Sequence, residues 1–302
     1  MNVIQCANLT KKYGRHTVLD QMSFTIQENK ITGLIGRNGA GKTTLLNIIS
    51  GFIHETSGNI EVFSETPFNN LIVSANSIHI DDQMTFPSSM NLAEILNEAR
   101  RFYGNFNAEL ADGLFNYFSL NPKQLHNNLS KGMKSTFNMI FGLASRCALT
   151  LFDEPTTGMD AAVRKDFYRA LLKDYIAFPR TIIISSHHLN EIEDLLEDVL
   201  LIKGGKAHLH LPISDLKEWA VGLQGKKSAV AGWTHGREII YKQESQNRTF
   251  TVVRNDFTES DFQNLKLDGI EVKSVSSSDV CVYLTNSDKG GIDDVFNRIE
   301  SI

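Results

Sequence analysis

Apolar and polar positions change rhythm several times along this chain of 302 residues. Near the start, the segments VIQCANL and VLDQMSFTI set apolar and β-branched residues at alternating positions, which predicts two half-buried strands. The unbroken apolar run Ile31–Ile35 predicts a strand covered on both faces. It enters a glycine-rich loop over residues 36–41, after which residues 42–50 predict a helix closed by Gly51.

Between residues 91 and 146 the spacing becomes helical, in NLAEILNEARRFYG, NAELADGLFNYFSL and KSTFNMIFGLASR. Leu92, Ile95, Leu96 and Ala99 recur on one face of the first. An all-helical insert over about residues 88–146 thus interrupts strand-rich segments. A buried strand follows at 148–152, then a helix at about 160–176 with Val163, Phe167, Ala170 and Leu171 on one face, then an apolar strand at 181–185. Such alternation predicts an α/β fold, a mostly parallel sheet with helices on both faces and a β-rich N-terminal part. Near residue 216 the character changes. The tail predicts a small α+β appendage, with strands at 238–241, 249–253 and 280–284 and a turn at Asp268-Gly269. Domains are therefore expected at 1–215 and 216–302.

Composition narrows the class. Hydrophobic residues at 41% and charged residues at 22% give a globular protein with a core. A net charge of −5 argues against broad affinity for nucleic-acid phosphates. Cys6, Cys147 and Cys281 lie far apart without metal-ligand spacing, as free thiols in a reducing compartment would. The opening MNVIQCANLTKKYG lacks the pattern of a signal peptide. The apolar region at 137–152 is broken by Asn138, Ser145 and Arg146, and a span needs about 20 mostly apolar residues. Any membrane pathway must then belong to another polypeptide.

Two segments carry chemistry. Gly36-Arg37-Asn38-Gly39-Ala40-Gly41-Lys42-Thr43-Thr44 matches the phosphate-binding P-loop. Its glycines let consecutive N–H groups face a phosphate at a helix N-terminus. Lys42 would reach the β- and γ-phosphates, and Thr43 would offer its hydroxyl to Mg²⁺. The apolar strand of residues 148–152 ends in Asp153 and Glu154. An acid at a strand's carboxyl end suits metal holding, mostly through water, and Glu154 can accept a proton from an attacking water.

These motifs mark a P-loop NTPase. Three further segments narrow it. Leu129-Ser130-Lys131-Gly132-Met133 resembles the signature of ABC transporter ATPases, whose usual form is Leu-Ser-Gly-Gly-Gln. Pro155-Thr156-Thr157-Gly158-Met159-Asp160 resembles their D-loop, and His187, after Ser185-Ser186, stands where the family places its switch histidine. Tyr13 stands where the family stacks an aromatic ring on adenine. The resemblance covers about residues 1–215 in the family's order. It implies ATP and Mg²⁺ as ligands, with Ser130 and Gly132 acting on nucleotide held by a second ATPase subunit. His187 would contact the γ-phosphate and help position Glu154. It also implies docking onto a separate transmembrane permease, and a place at the cytoplasmic face of the cell membrane. The C-terminal appendage is similar to those of bacterial exporter ATPases.

Two departures stand out. Lys131 and Met133 replace glycine and glutamine, while Ser130 and Gly132 are kept. Counting back from Phe86-Pro87 puts Asp81 where the family carries the Q-loop glutamine, and Gln83 fits with a two-residue shift. Asp81 could still bind Mg²⁺. His208 and His210 predict a solvated strand edge rather than a metal site. Two other readings remain. One is a soluble ABC-type ATPase outside transport, against which one P-loop and no long coiled coil count. The other is a small-molecule kinase, disfavoured by Ser130, Gly132 and His187.

Overall fold

Alternation is what drives the opening strands. In the structure, a computed structural model that describes residues 1–286, β1 (Asn2–Tyr13) and β2 (His16–Gln27) pair antiparallel. Ile4, Leu9, Leu19, Met22 and Ile26 turn to one buried side, and polar neighbours face out. Both strands run longer than their apolar cores. The central strand β3 (Ile31–Ile35) has all five residues buried. It leads through the glycine loop into α1 (Lys42–Ile49), after which Gly51 takes a positive φ of 75°.

β4 (Ser57–Val62) joins β1 to complete a three-stranded antiparallel sheet, and the short α2 (Leu71–Asn76) precedes β5 (Ser77–Ile80). The helical segment comprises α3 (Leu92–Phe102), α4 (Ala108–Tyr117) and α5 (Lys131–Ser145). Asn91 and Glu94 close a capping box at the start of α3, and Leu92, Ile95, Leu96 and Ala99 form its buried face. Then come β6 (Leu149–Asp153), α6 (Ala161–Ala177), β7 (Thr181–Ser186), α7 (Leu189–Ile192) and the hairpin β8 (Asp198–Lys203) and β9 (Lys206–Pro212). Phe167 and Leu171 are the fully buried positions on α6, while Val163 and Ala170 are only partly covered.

These strands assemble as β5-β6-β7-β3-β8-β9, parallel except for the β8–β9 pair. The carboxyl ends of β3, β5, β6 and β7 therefore open on one edge, where an α/β sheet gathers ligands. His208 and His210 are exposed on β9, at the sheet's rim.

The chain divides into two compact units, the first Met1–Ser214 and the second beginning at Asp215. A one-turn helix, α8 (Ile213–Lys217), crosses the division. In the second unit β10 (Ala220–Lys226), α9 (Lys227–Thr234), β11 (Ile239–Glu244), β12 (Arg248–Arg254), α10 (Glu259–Leu267) and β13 (Glu271–Ser274) form an antiparallel sheet in the order β11-β12-β10-β13. This is the split β-α-β, ferredoxin-like arrangement. Val221, Leu223, Val230, Val253, Leu265 and Ile270 form its core. One expectation is corrected here. Residues 280–284 are not a strand but lie in α11 (Ser277–Thr285), capped by Ser276, whose hydroxyl accepts from Asp279 N at 3.0 Å. Val280, Cys281 and Leu284 are buried at helical spacing, whereas Val282, whose alternation with them mimics a strand, is 49% exposed.

Candidate functional site

The glycine loop is shaped by what lies behind it. Gly41 caps α1 with φ 105°, and a Cβ there would lie 2.7 Å from Leu19 Cδ2 and 3.1 Å from Val18 O. The same strand segment meets the β8–β9 turn, where Asp20 N donates to Gly205 O at 2.9 Å. Arg37, Asn38 and Gly39 are exposed in the loop, while Gly36 and Ala40 are buried. Thr43 is exposed and Thr44 half-buried in the first turn of α1.

Lys42 is 5% exposed. Its Nζ donates to Gly36 O at 2.8 Å and lies 3.1 Å from Glu154 Oε1. The other oxygen of Glu154 lies 2.9 Å from His187 Nδ1. A carboxylate oxygen accepts, so Nδ1 is the ring nitrogen that donates to Glu154. Glu154 has a positive φ of 44°, a conformation that costs energy outside glycine. Its main chain is held from both sides, since Glu154 N donates to Ser185 Oγ at 2.9 Å and Thr157 Oγ1 donates to Glu154 O at 2.8 Å.

Asp153 is buried at the end of β6, and Ser185 Oγ donates to its Oδ1 at 2.5 Å. One hydroxyl thus fixes both acids. Nothing in the sequence around Ser185 marks it for this role. The Asp153–Ser185 pairing of β6 with β7 supplies it. Asp81 follows the Ile80–Phe152 pair and so stands beside Asp153. Its Oδ1 accepts from Gln83 N at 3.0 Å, closing a turn, while Gln83 is exposed with its side chain on Asp82. The structure puts Asp81, not Gln83, at the strand end.

Ser130 is exposed and caps α5, its Oγ accepting from Met133 N at 3.4 Å. A Cβ on Gly132 would lie 2.4 Å from Gly158 O, and Ser135 Oγ donates to Thr157 O at 2.8 Å. The start of α5 and the loop after Glu154 therefore form one packed block. Lys42, Glu154 and His187 come together at the sheet edge, Ser185 ties Asp153 to them, and Asp81 follows the neighbouring strand end. Gly132 meets Gly158 instead, and Tyr13 stands half-exposed at the β1–β2 turn with Lys11 Nζ 5.0 Å from its ring centre.

This donor set fits a nucleoside triphosphate with a divalent cation. The Lys42 ammonium rests on a carbonyl and a carboxylate, partners that a phosphate oxygen can replace. Among the described residues no group of three or more His, Cys, Asp or Glu side chains could hold a metal. A divalent cation here would need oxygens from a ligand, a hydroxyl or water to complete its shell.

The ABC transporter family model matches residues 19–157. The ABC transporter ATP-binding protein YtrB of Bacillus subtilis (strain 168) is 30% identical over 222 residues, covering 74% of this chain and 76% of that protein. The bacitracin transport ATP-binding protein BcrA of Bacillus licheniformis is 32% identical over 219 residues, 72% of each. A solved ATP-binding subunit of an ABC transporter shares the fold, with a TM-score of 0.64 at 22% identity over 71% of this chain and 92% of that one. A dimeric ATP-binding cassette bound to ADP and Pi in a post-hydrolysis state gives 0.60 at 20% identity, over 70% of this chain and 98% of that one. The chain belongs to the ABC transporter family, as its ATP-binding and ATP-hydrolysing component.

Proposed function

We propose that this ATPase powers export through a separate membrane-spanning permease, working as one of two ATPase subunits that close head to tail on ATP. The observation that carries the reading is Glu154, held between Lys42 and His187 at the carboxyl end of the sheet. In that position Glu154 accepts a proton from the attacking water, and His187 keeps its carboxylate oriented. Lys42 and the loop N–H groups stabilise charge on the phosphates, and positioning does most of the rest. Thr43, Asp153 and Asp81 would hold Mg²⁺, which would offset the charge on the phosphates. Tyr13 offers its ring face to adenine. Ser130 and Gly132 complete the phosphate pocket of the second subunit. The known dimeric cassette with ADP and Pi supports that pairing.

Among the described residues no helix is long and apolar enough to cross a membrane. The proposed permease is a separate chain, with this one at the inner face of the membrane. A groove of about 450 Å³ lined by Phe86, Met90, Ile95, Phe102, Tyr103 and Phe141 offers it an apolar seat next to the Asp81 loop. Phe102 is 75% exposed there. Similarity to the bacitracin transport protein and to a lantibiotic transport ATP-binding protein of Streptococcus pyogenes supports export of an antibiotic or peptide. The second unit, from Asp215 on, is proposed as an accessory domain.

Glu154→Gln tests the reading. It should slow hydrolysis by about 10²–10⁴-fold while ATP binding persists. With MgATP the variant should elute as a dimer in size-exclusion chromatography. A monomer at saturating MgATP would remove the head-to-tail closure. Purification from membranes in mild detergent should recover a polytopic partner, and recovery of none would favour a soluble ABC-type ATPase outside transport.

A further inference from the structure

The loop after β5 is gripped from α5 at its start and at its end. Asn138, 2% exposed in the middle of α5, donates Nδ2 to Asp81 O at 3.2 Å. Its Oδ1 lies 2.8 Å from Nε2 of His126, which is 4% exposed in the short turn His126–Asn128 before Ser130. At the other end of the loop, the Phe86 ring meets the His126 ring edge-on at 4.9 Å and packs against Phe137 and Phe141. On the surface, Lys131 Nζ lies 3.8 Å from Asp82 Oδ2. That exposed pair contributes little.

Chemistry fixes every role in the buried chain. A main-chain carbonyl can only accept, so Asn138 turns its NH₂ to Asp81 and its oxygen to His126. An amide oxygen also only accepts, so His126 Nε2 carries the proton. Burial pushes the His126 pKa below its ordinary value and favours this neutral ring. Asparagine is a poor residue for a helix interior, and burying its amide is costly unless each polar atom is paired. A leucine has the same branched shape without the polar atoms. The amide is therefore spent on Asp81.

We propose that Asn138, oriented by His126, is a positioning residue for ATP hydrolysis. It holds the main chain of Asp81 at the end of β5, next to the strand end that carries Asp153. It also ties the loop to the helix that Ser130 opens. This inference rests on the metal-and-water role proposed for Asp81, and it adds the residues that keep Asp81 in place.

The test uses the full-length protein, with hydrogen–deuterium exchange of residues 81–86 read beside ATPase kinetics. Losing a buried hydrogen bond of this kind corresponds to roughly a tenfold effect. In Asn138→Leu, loop exchange should quicken by about tenfold and kcat should fall by about tenfold, with KM for ATP essentially unchanged. Asn138→Asp keeps the volume and the acceptor for His126 but removes the donor, so it should behave alike even if the leucine variant folds poorly. His126→Gln retains a donor near Nε2 and should stay close to the parent, whereas His126→Phe should match Asn138→Leu. Unchanged loop exchange in both Asn138 variants would overturn the proposal, as would a raised KM with unaltered kcat. If Asp81→Ala hydrolyses ATP normally while the Asn138 variants still loosen the loop, the role given to Asp81 is what fails and the grip by Asn138 stands.

Discussion

The two ends of the six-stranded sheet bury charge in opposite ways. At the carboxyl end, Lys42 rests on Gly36 O and Glu154, and Glu154 reaches on to His187. Each of these partners faces the glycine loop and can give way to a ligand oxygen. At the amino end, Arg146 and Arg180 close on Asp174, ahead of β6 and β7. Arg180 Nη1 lies 3.0 Å from Asp174 Oδ2 and also donates to Phe178 O, while Arg146 lies over the Phe178 ring at 4.8 Å. Arg180 is 2% exposed, even less than Lys42. Burial of charge does not by itself mark a site. What marks it is whether the partners can be exchanged for a ligand.

Lys42→Ala should separate the two ends most sharply. Hydrolysis and most nucleotide binding should vanish in phosphate-release and nucleotide-titration assays, while circular dichroism stays that of the parent. Near-normal turnover would move the phosphate site elsewhere. Arg180→Leu should do the reverse. Breaking this buried pair should cost about 3 kcal/mol, the low end for such pairs because Arg146 still meets Asp174. By calorimetry the Tm should fall by about 6–12 °C. An equal fall in kcat at a temperature where the variant is folded would erase the contrast.

Ser185→Ala acts at the first end through position alone. Losing the hydroxyl that holds Asp153 and the main chain of Glu154 should lower kcat by about tenfold with ATP affinity retained. The smallest effect concerns Cys147, at the amino end. Burial pushes its thiol up to about 12, so the proton stays on at every working pH. At pH 8 about one thiol in ten thousand is thiolate. Iodoacetamide should therefore label Cys147 only after denaturation, and labelling of the folded protein at the rate of a free thiol would show that this end opens.

How much of this was legible in sequence depended on how local the cause is. β3 coincides with its unbroken apolar run, because a strand buried on both faces has no polar alternation to blur its ends. The P-loop, Asp153 and Glu154 were equally plain, since one short segment contains both the backbone shape and the reactive groups. β10 was missed because it carries Gly222 and Gly225, which weaken any strand signal. Gly222 has its own reason, since a Cβ there would lie 2.4 Å from the Phe250 ring. In α11, alternating Val280, Val282 and Leu284 imitate a strand, and the cap at Ser276 with tertiary burial decides for the helix. Ser185, Asn138 and His126 are ordinary polar residues in the chain. Only strand register and a contact across 57 positions, from Asn138 to Asp81, give them work.

Residues 18–20 of β2 lie between Gly41 of the phosphate loop and Gly205 of the β8–β9 turn. The same strand begins at the hairpin that carries Tyr13. Under the role proposed for Tyr13, the platform for the base and the cradle for the phosphates are two marks on one main-chain ruler. A bulkier residue at Gly205 would press on Val18 O, and through it on the main chain against which Gly41 packs, with every side chain of the glycine loop still in place.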